Sequence, residues 1–266
     1  MISISSNLNL MIKATEKASK SLIRDFGEIE KLQVSKKGPH DFVTKTDKNV
    51  EKILIDELSK AKKNYSFLSE EIGEIRNNDK ENIWIIDPID GTNNFLHGIP
   101  HFAICIALQS KKEIVSGLIF DPIKDEMFFA EKNKGVYLNN QRLRVSSKNK
   151  LDDCLFSSNQ EGVKFSSLNM RCSGSSALDM AYVASGRLDG FFHNKINLWD
   201  VAAGALMVKE AGGVVNDLFK FNTNNIDIRA SSSAINEKML DISGRGEPKL
   251  RTFRSRIVLG SVRSSM

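Results

Sequence analysis

Asp87 and Asp90 lie three residues apart in Trp84-Ile85-Ile86-Asp87-Pro88-Ile89-Asp90-Gly91-Thr92-Asn93-Asn94-Phe95, directly after the apolar stretch Ile83 to Ile86. Two carboxylates that close repel, and both stay ionised only beside a cation or another strong positive partner. Ligands that are all oxygen suit Mg²⁺, Mn²⁺ or Ca²⁺ better than zinc or copper. Gly91-Thr92 then offers backbone N–H groups and a hydroxyl where an anion can sit next to that cation. The chemistry is that of a metal-assisted phosphate site. The same residues also read as a strand running into an Asp-Pro turn, with Asp90-Gly91 as ordinary turn chemistry. Two further acidic segments favour the site. Ser69-Glu70-Glu71-Ile72-Gly73 follows the apolar run Tyr65 to Leu68, and Leu198-Trp199-Asp200-Val201-Ala202-Ala203-Gly204 opens a strongly apolar stretch. Each puts a carboxylate at a strand end or a helix start, where separate elements can assemble one centre.

The elements that must position these groups follow from periodicity. Leu8, Met11, Ile12, Ala14, Ala18, Leu22, Ile23 and Phe26 recur at helical spacing, so the chain opens with an amphipathic helix. A second helix follows Asp47, with Val50, Ile53, Leu54 and Leu58 as its buried stripe, and Asp47 itself reads as an N-cap. Asp200 reads as the N-cap of a helix over 201–211 that Gly212-Gly213 stops. Strands are expected at 83–86, 102–108, 114–120, 126–130 and 136–138, with Asn139-Asn140 as a tight turn. Their short, hairpin-like connections favour an antiparallel sheet. The second half alternates: strands at 154–158, 189–193 and 213–216, and helices at 175–185 and 201–211. A weak seam near 146–153 separates an N-terminal α+β half (1–145) from a C-terminal α/β half (146–242).

Composition narrows the classes. With 41% hydrophobic residues in 266, there is material for a proper core. The net charge is +5, but six basic residues against two acidic ones in 241–266 leave the remaining body near neutral. That argues against a nucleic-acid binder. The tail 243–266, with Arg245, Lys249, Arg251, Arg254, Arg256 and Arg263, reads as a flexible basic extension. Cys105, Cys154 and Cys172 are odd in number and widely spaced, which points to reduced thiols in the cytoplasm. No apolar run reaches membrane-span length, and the start lacks a basic-then-apolar signal pattern.

Taken in order, Asp41-Phe42-Val43-Thr44-Lys45-Thr46-Asp47, Glu70-Glu71, the run from Asp87 to Phe95, and Trp199-Asp200 leading to Glu210-Ala211-Gly212-Gly213 resemble the inositol monophosphatase family. Gly174-Ser175-Ser176-Ala177-Leu178-Asp179-Met180-Ala181-Tyr182 resembles that family's Gly-Ser/Thr-Ala helix start. The joint pattern, over roughly residues 5 to 240, is far more specific than any one piece. The resemblance implies an α/β (α+β) fold with layered αβαβα packing: a mainly antiparallel N-terminal sheet and a second, mixed sheet. It implies a magnesium-dependent, lithium-sensitive phosphomonoesterase that forms a homodimer.

Residue by residue, the resemblance implies that Glu70, Asp87 and the Ile89 carbonyl hold the metal that activates water. Asp87, Asp90 and Asp200 would hold a second near the leaving group, and a third, weaker ion would use Glu70. Two or three Mg²⁺ are expected, with Mn²⁺ as a substitute. Thr92 and Asp47 resemble the pair that positions and deprotonates the water, and the Gly91 and Thr92 amides would receive the phosphate. Asp90, Ser175, Ser176, His193 and Asp200 complete the expected substrate contacts. His193 stands seven residues before Asp200, where the inositol-selective pattern has a Glu. A histidine can bond a hydroxyl, but with a different charge and reach. Inositol 1-phosphate, histidinol phosphate, a sugar phosphate and a nucleotide all remain open as substrates. A rival reading from another class is a basic-tailed regulator that docks on RNA or a transcription complex.

Overall fold

Ile104, Ile106 and Leu108 point to one side of a strand and Ala103, Cys105 and Ala107 to the other, and all six are buried. Strict alternation with both faces apolar means that the sheet is covered on both sides. The faces differ in size: long aliphatic chains on one, small residues on the other. That difference sets how closely each layer of helices approaches.

The computed structural model describes residues 4–29, 34–38, 41–159, 168–216 and 224–243. In chain order the elements are α1 (Ser6–Phe26), β1 (Val34–Gly38), β2 (Asp41–Thr44), α2 (Lys45–Ala61), β3 (Tyr65–Ser69), β4 (Gly73–Ile75), β5 (Asp79–Asp90), α3 (Thr92–Leu96), β6 (Ala103–Ser110), β7 (Glu113–Asp121), β8 (Glu126–Glu131), β9 (Gly135–Leu138) and β10 (Gln141–Arg142). After a 3₁₀ turn at Leu151–Asp153 come β11 (Leu155–Ser158), β12 (Asn169–Arg171), α4 (Ser176–Ala184), β13 (Gly190–Ile196), α5 (Leu198–Glu210), β14 (Gly213–Val215), β15 (Ile226–Ser232) and α6 (Asn236–Ser243). An eight-stranded sheet runs β10-β9-β8-β7-β6-β5-β3-β4, antiparallel throughout except where β3 pairs with β5. A five-stranded sheet runs β12-β11-β13-β15-β14 and is mixed. A separate β1–β2 hairpin leads into α2.

The helices α1 and α2 pack together on the large-residue face, through Leu8, Met11, Leu22, Val50 and Leu54 against Trp84, Ile86, Ile106 and Leu118. Between the two sheets lie α4 and α5. A helix enclosed that way must be apolar all round rather than along one stripe, and Leu198, Val201 to Met207 and Val208 are all buried. Behind the second sheet, Met239 of α6 and Ile235 just before that helix pack on Cys154, Phe156 and Phe192. The order is helices, sheet, helices, sheet, helix: the layered α/β architecture expected from the sequence, with its mainly antiparallel first sheet and mixed second one. Gly117 on β7 shows how tight the middle seam is. A Cβ there would come within 3.0 Å of both Cα and the carbonyl oxygen of Ala203 on α5.

Two capping expectations are corrected. The helix α2 begins at Lys45, so Asp47 lies in its first turn and does not cap it. The helix α5 begins at Leu198 with Asn197 as the cap, and Asp200 is its third residue, bonding back to the Asn197 amide at 2.9 Å. Residues 244–266, nearly all of the basic tail, lie outside the described residues.

Candidate active site

Why Asp87 and Asp90 work as a pair is a matter of register. Side chains three apart on a regular strand point to opposite faces. Here Asp87 pairs with Cys105 and Asp90 with Ala103, so β5 spends three residues where β6 spends two. This is a β-bulge, and it contains Pro88, which has no N–H to donate. The extra residue turns both carboxylates toward α4 and α5. Ile89 closes the bulge by donating its amide to Asp87 Oδ1 at 2.9 Å.

Asp200 arrives from the first turn of α5. One carboxylate oxygen each from Asp87, Asp90 and Asp200 lies within 4.8 Å of the others. Glu70 follows directly after β3, its amide bonded to the Ile86 carbonyl at 3.2 Å, and its carboxyl meets that of Asp87. The structure therefore brings Glu70, Asp87, Asp90 and Asp200 together, and the first three depend on the β3–β5–β6 pairing. Asp90 is also anchored at the start of α4, where it accepts from the Ser175 hydroxyl, the Ser176 amide at 3.3 Å and the Ala177 amide at 2.9 Å. Ser175 is the cap of that helix and accepts from the Leu178 amide. A carboxylate held by helix N-terminal amides is a stable arrangement.

On the other side of the bulge Gly91 takes a φ of +96°, and a Cβ there would lie 3.1 Å from the His101 carbonyl oxygen. Thr92 follows, with its hydroxyl 3.2 Å from Asp47 Oδ1 and 3.0 Å from the Ile89 carbonyl. One hydroxyl proton serves two acceptors. Asp47 is fully buried. The Ser176 hydroxyl stands 3.3 Å from His193 Nδ1, while the His193 ring stacks on Phe191 with centroids 4.1 Å apart. His193 is buried, its Nε2 has no hydrogen-bond partner, and burial pushes its pKa down to about 3, so the ring is neutral. Trp199 packs against the middle core.

Electrostatics shows what this donor set lacks. Burial first, then the like charges of Glu70, Asp90 and Asp200, push Asp87 well above the usual carboxylate range. Burial and Asp90 do the same to Asp200. Burial raises Asp90 to about 6 against the opposing pull of Ser175 and the α4 amides. Cys105, behind the cluster, is driven up by burial and then by the same carboxylates, so it stays a thiol. The leading charged neighbours of Asp87 are all acidic. A group of mostly buried, mutually repelling carboxylates that offers only oxygen fits a hard divalent ion.

Three buried polar groups escaped the sequence reading: Asn94, Asp179 and Glu51. Asn94 Nδ2 donates to the His101 and Ser173 carbonyls and so ties the Thr92 turn to the loop before α4. Asp179 accepts from Ser157, and burial raises it to about 7. The available signal was a carboxylate inside an apolar stripe, as in Val50-Glu51 and Leu178-Asp179-Met180.

These raised carboxylates make the metal-free protein's stability depend on pH. Their folded pKa values exceed the unfolded one of about 4, so the native state binds more protons and stability falls as pH rises between the two. For Asp90 and Asp179 the window runs from about 4 to about 6 and about 7. Chelator-treated protein should melt several degrees lower at the alkaline end of that window than at the acid end, at about 2–4 °C per kcal/mol for a domain this large. Mg²⁺ should flatten the trend. A melting temperature that climbs with pH across the window in chelator counts against the cluster as described.

With this geometry in view, the comparisons with known proteins are consistent with one another. The model of the inositol monophosphatase family matches residues 5–243. A protein of Mesorhizobium japonicum named inositol-1-monophosphatase is 45% identical over 226 residues, which is 79% of this chain and 85% of that protein. The Escherichia coli K12 protein named Nus factor SuhB is 37% identical over 225 residues, 79% of this chain and 84% of that one. The crystal structure of extragenic suppressor protein suhB from Bartonella henselae superimposes with a TM-score of 0.86 at 42% identity, covering 91% of this chain and all of that one.

Proposed function

The chain belongs to the inositol monophosphatase family, a phosphatase family, and from that premise we propose that it hydrolyses a small phosphate monoester with Mg²⁺, releasing an alcohol and phosphate. The convergence of Asp87, Asp90 and Asp200 within 4.8 Å carries this reading. In it, Glu70, Asp87 and the Ile89 carbonyl would hold one ion, Asp87, Asp90 and Asp200 a second, and Glu70 a weaker third. Bound there, Mg²⁺ makes an attacking water more acidic and stabilises charge on the leaving oxygen.

The chain's own groups do the rest. Thr92 and Asp47 form the proton-accepting pair. The Thr92 hydroxyl, when it donates to Asp47, turns its lone pairs outward to receive a proton from water. The Gly91 and Thr92 amides cradle the phosphate, and the absence of a side chain at Gly91 lets this turn pack against the His101 and Gly174 carbonyls. Ser175 and Ser176 hold Asp90 in place, and Ser176 with His193 faces the alcohol portion of the substrate. His193 in its neutral form carries one donor and one acceptor nitrogen, which suits a hydroxyl of a cyclitol or sugar phosphate.

A panel of phosphate esters tests the proposal: inositol 1-phosphate, histidinol phosphate, a hexose phosphate and 3′-phosphoadenosine 5′-phosphate, each with and without Mg²⁺. The expected result is Mg²⁺-dependent phosphate release, fastest with the cyclitol or sugar ester. No release from any ester in Mg²⁺ or Mn²⁺ rules the enzymatic reading out. A second reading, a regulator docking on RNA or a transcription complex, draws on the relative named Nus factor SuhB. The carboxylate cluster favours the enzyme.

A further inference from the structure

Glu51 lies one helical turn beyond Asp47 on α2, fully buried beside Val50 and Leu54. A carboxylate in such a place is costly unless donors meet it. Its Oε1 has three: the Ser69 hydroxyl, the Glu71 amide at 3.0 Å and the Ile72 amide at 3.4 Å. Its Oε2 is buried and has no hydrogen-bond partner. All three donors flank Glu70, two after it and one before. The Glu70 amide itself is held from the opposite direction by the Ile86 carbonyl. The 69–72 turn is thus clamped between α2 and β5, next to Asp47 on one side and Asp87 on the other.

We propose that Glu51 is a positioning residue: it fixes the turn that carries Glu70, and so ties the helix bearing Asp47 to the carboxylate cluster. The inference rests on the reading of Glu70 as a metal ligand. Without the clamp, the Ser69 hydroxyl and two amides lose their acceptor, and the turn must shift to satisfy them. Glu70 moves with it.

Mn²⁺ binding to the full chain, followed by calorimetry and electron paramagnetic resonance, provides the test without relying on turnover. Glu51→Asp withdraws the carboxylate by one methylene, and folded protein should bind Mn²⁺ about 10-fold more weakly. Glu51→Gln keeps a carbonyl acceptor at full reach and puts its NH₂ where Oε2 made no bond, so binding should return to near the wild-type level. Wild-type affinity in folded Glu51→Asp overturns the inference, and so does a failure of Glu51→Gln to restore binding. Should Glu51→Asp lose its near-ultraviolet dichroism, Ser69→Ala takes its place, with weaker Mn²⁺ binding expected and unchanged binding overturning the proposal. Glu70→Gln separates the two readings. If it binds Mn²⁺ as the wild type does, Glu70 is no ligand and the Glu51 role falls with it. If it binds weakly while Glu51→Asp is unaffected, only the Glu51 role is rejected.

Discussion

Replacing Asp87 with Asn should reduce Mg²⁺-dependent turnover by about 10³-fold or more, equivalent to roughly 4 kcal/mol of barrier, while leaving the fold intact. Asp87 is the residue all the others surround: it meets Glu70, shares the cluster with Asp90 and Asp200, and is 1% exposed. The amide keeps the side-chain volume and one acceptor for the Ile89 amide, so the bulge has no reason to rearrange. Its charge, however, is gone, and a neutral amide oxygen would hold a divalent cation far less well than a carboxylate. Stability offers an independent check. The charge removed has carboxylates as its leading neighbours, so the metal-free variant should melt no lower than the wild type. Full turnover in a folded Asp87→Asn protein would remove the metal reading altogether.

The second large effect concerns the proton. Asp47→Asn should lower kcat by about 10²–10⁴-fold, the range for loss of a positioned acid or base, while Mn²⁺ still binds as in the wild type. Asp47 is fully buried and reaches the cluster through Thr92 rather than as a member of it. If the two side chains act as one unit, the doubly substituted Asp47→Asn, Thr92→Val protein should be no slower than the worse single variant. Multiplying losses would mean that they act separately. A kcat within about 3-fold of wild type in Asp47→Asn would show that the proton goes elsewhere.

Much of this site was legible because its residues sit at element ends that the sequence punctuates. Apolar runs stopping at Ser69-Glu70 and Ile86-Asp87, and the helix start after Gly174, are local signals that survive folding unchanged. The resemblance to a known family then supplied what local signals cannot, namely that Glu70, Asp87 and Asp200 meet although up to 130 residues separate them. What escaped notice was what depends on partners. Asp47 looked like a cap because an acid before an apolar stripe usually is one, and only the β1–β2 hairpin leading into α2 moves the helix start back to Lys45. Asp200 looked like a cap for the same reason, whereas Asn197 holds that role and Asp200 closes the box. The strand β15 and the helix α6 went unread, although Ile226-Asp227-Ile228-Arg229-Ala230 alternates as a half-buried strand does, and its place is defined by pairing with β13 and β14. Glu51 was hidden by its own surroundings: a single acid on a helix invites a solvent-facing reading until its neighbours on the stripe are seen to be buried.

The seam at Gly117 has a bearing on how such a protein can change. Ala203, which the missing side chain admits, stands one turn along α5 from Asp200, so the spacing between sheet and helix is transmitted straight to the position of a carboxylate. Core volume and reactivity are mechanically linked here. Enlarging a small residue along that contact displaces a lever whose short arm ends among the acids, and variation tolerated elsewhere in the interior has little room in this layer.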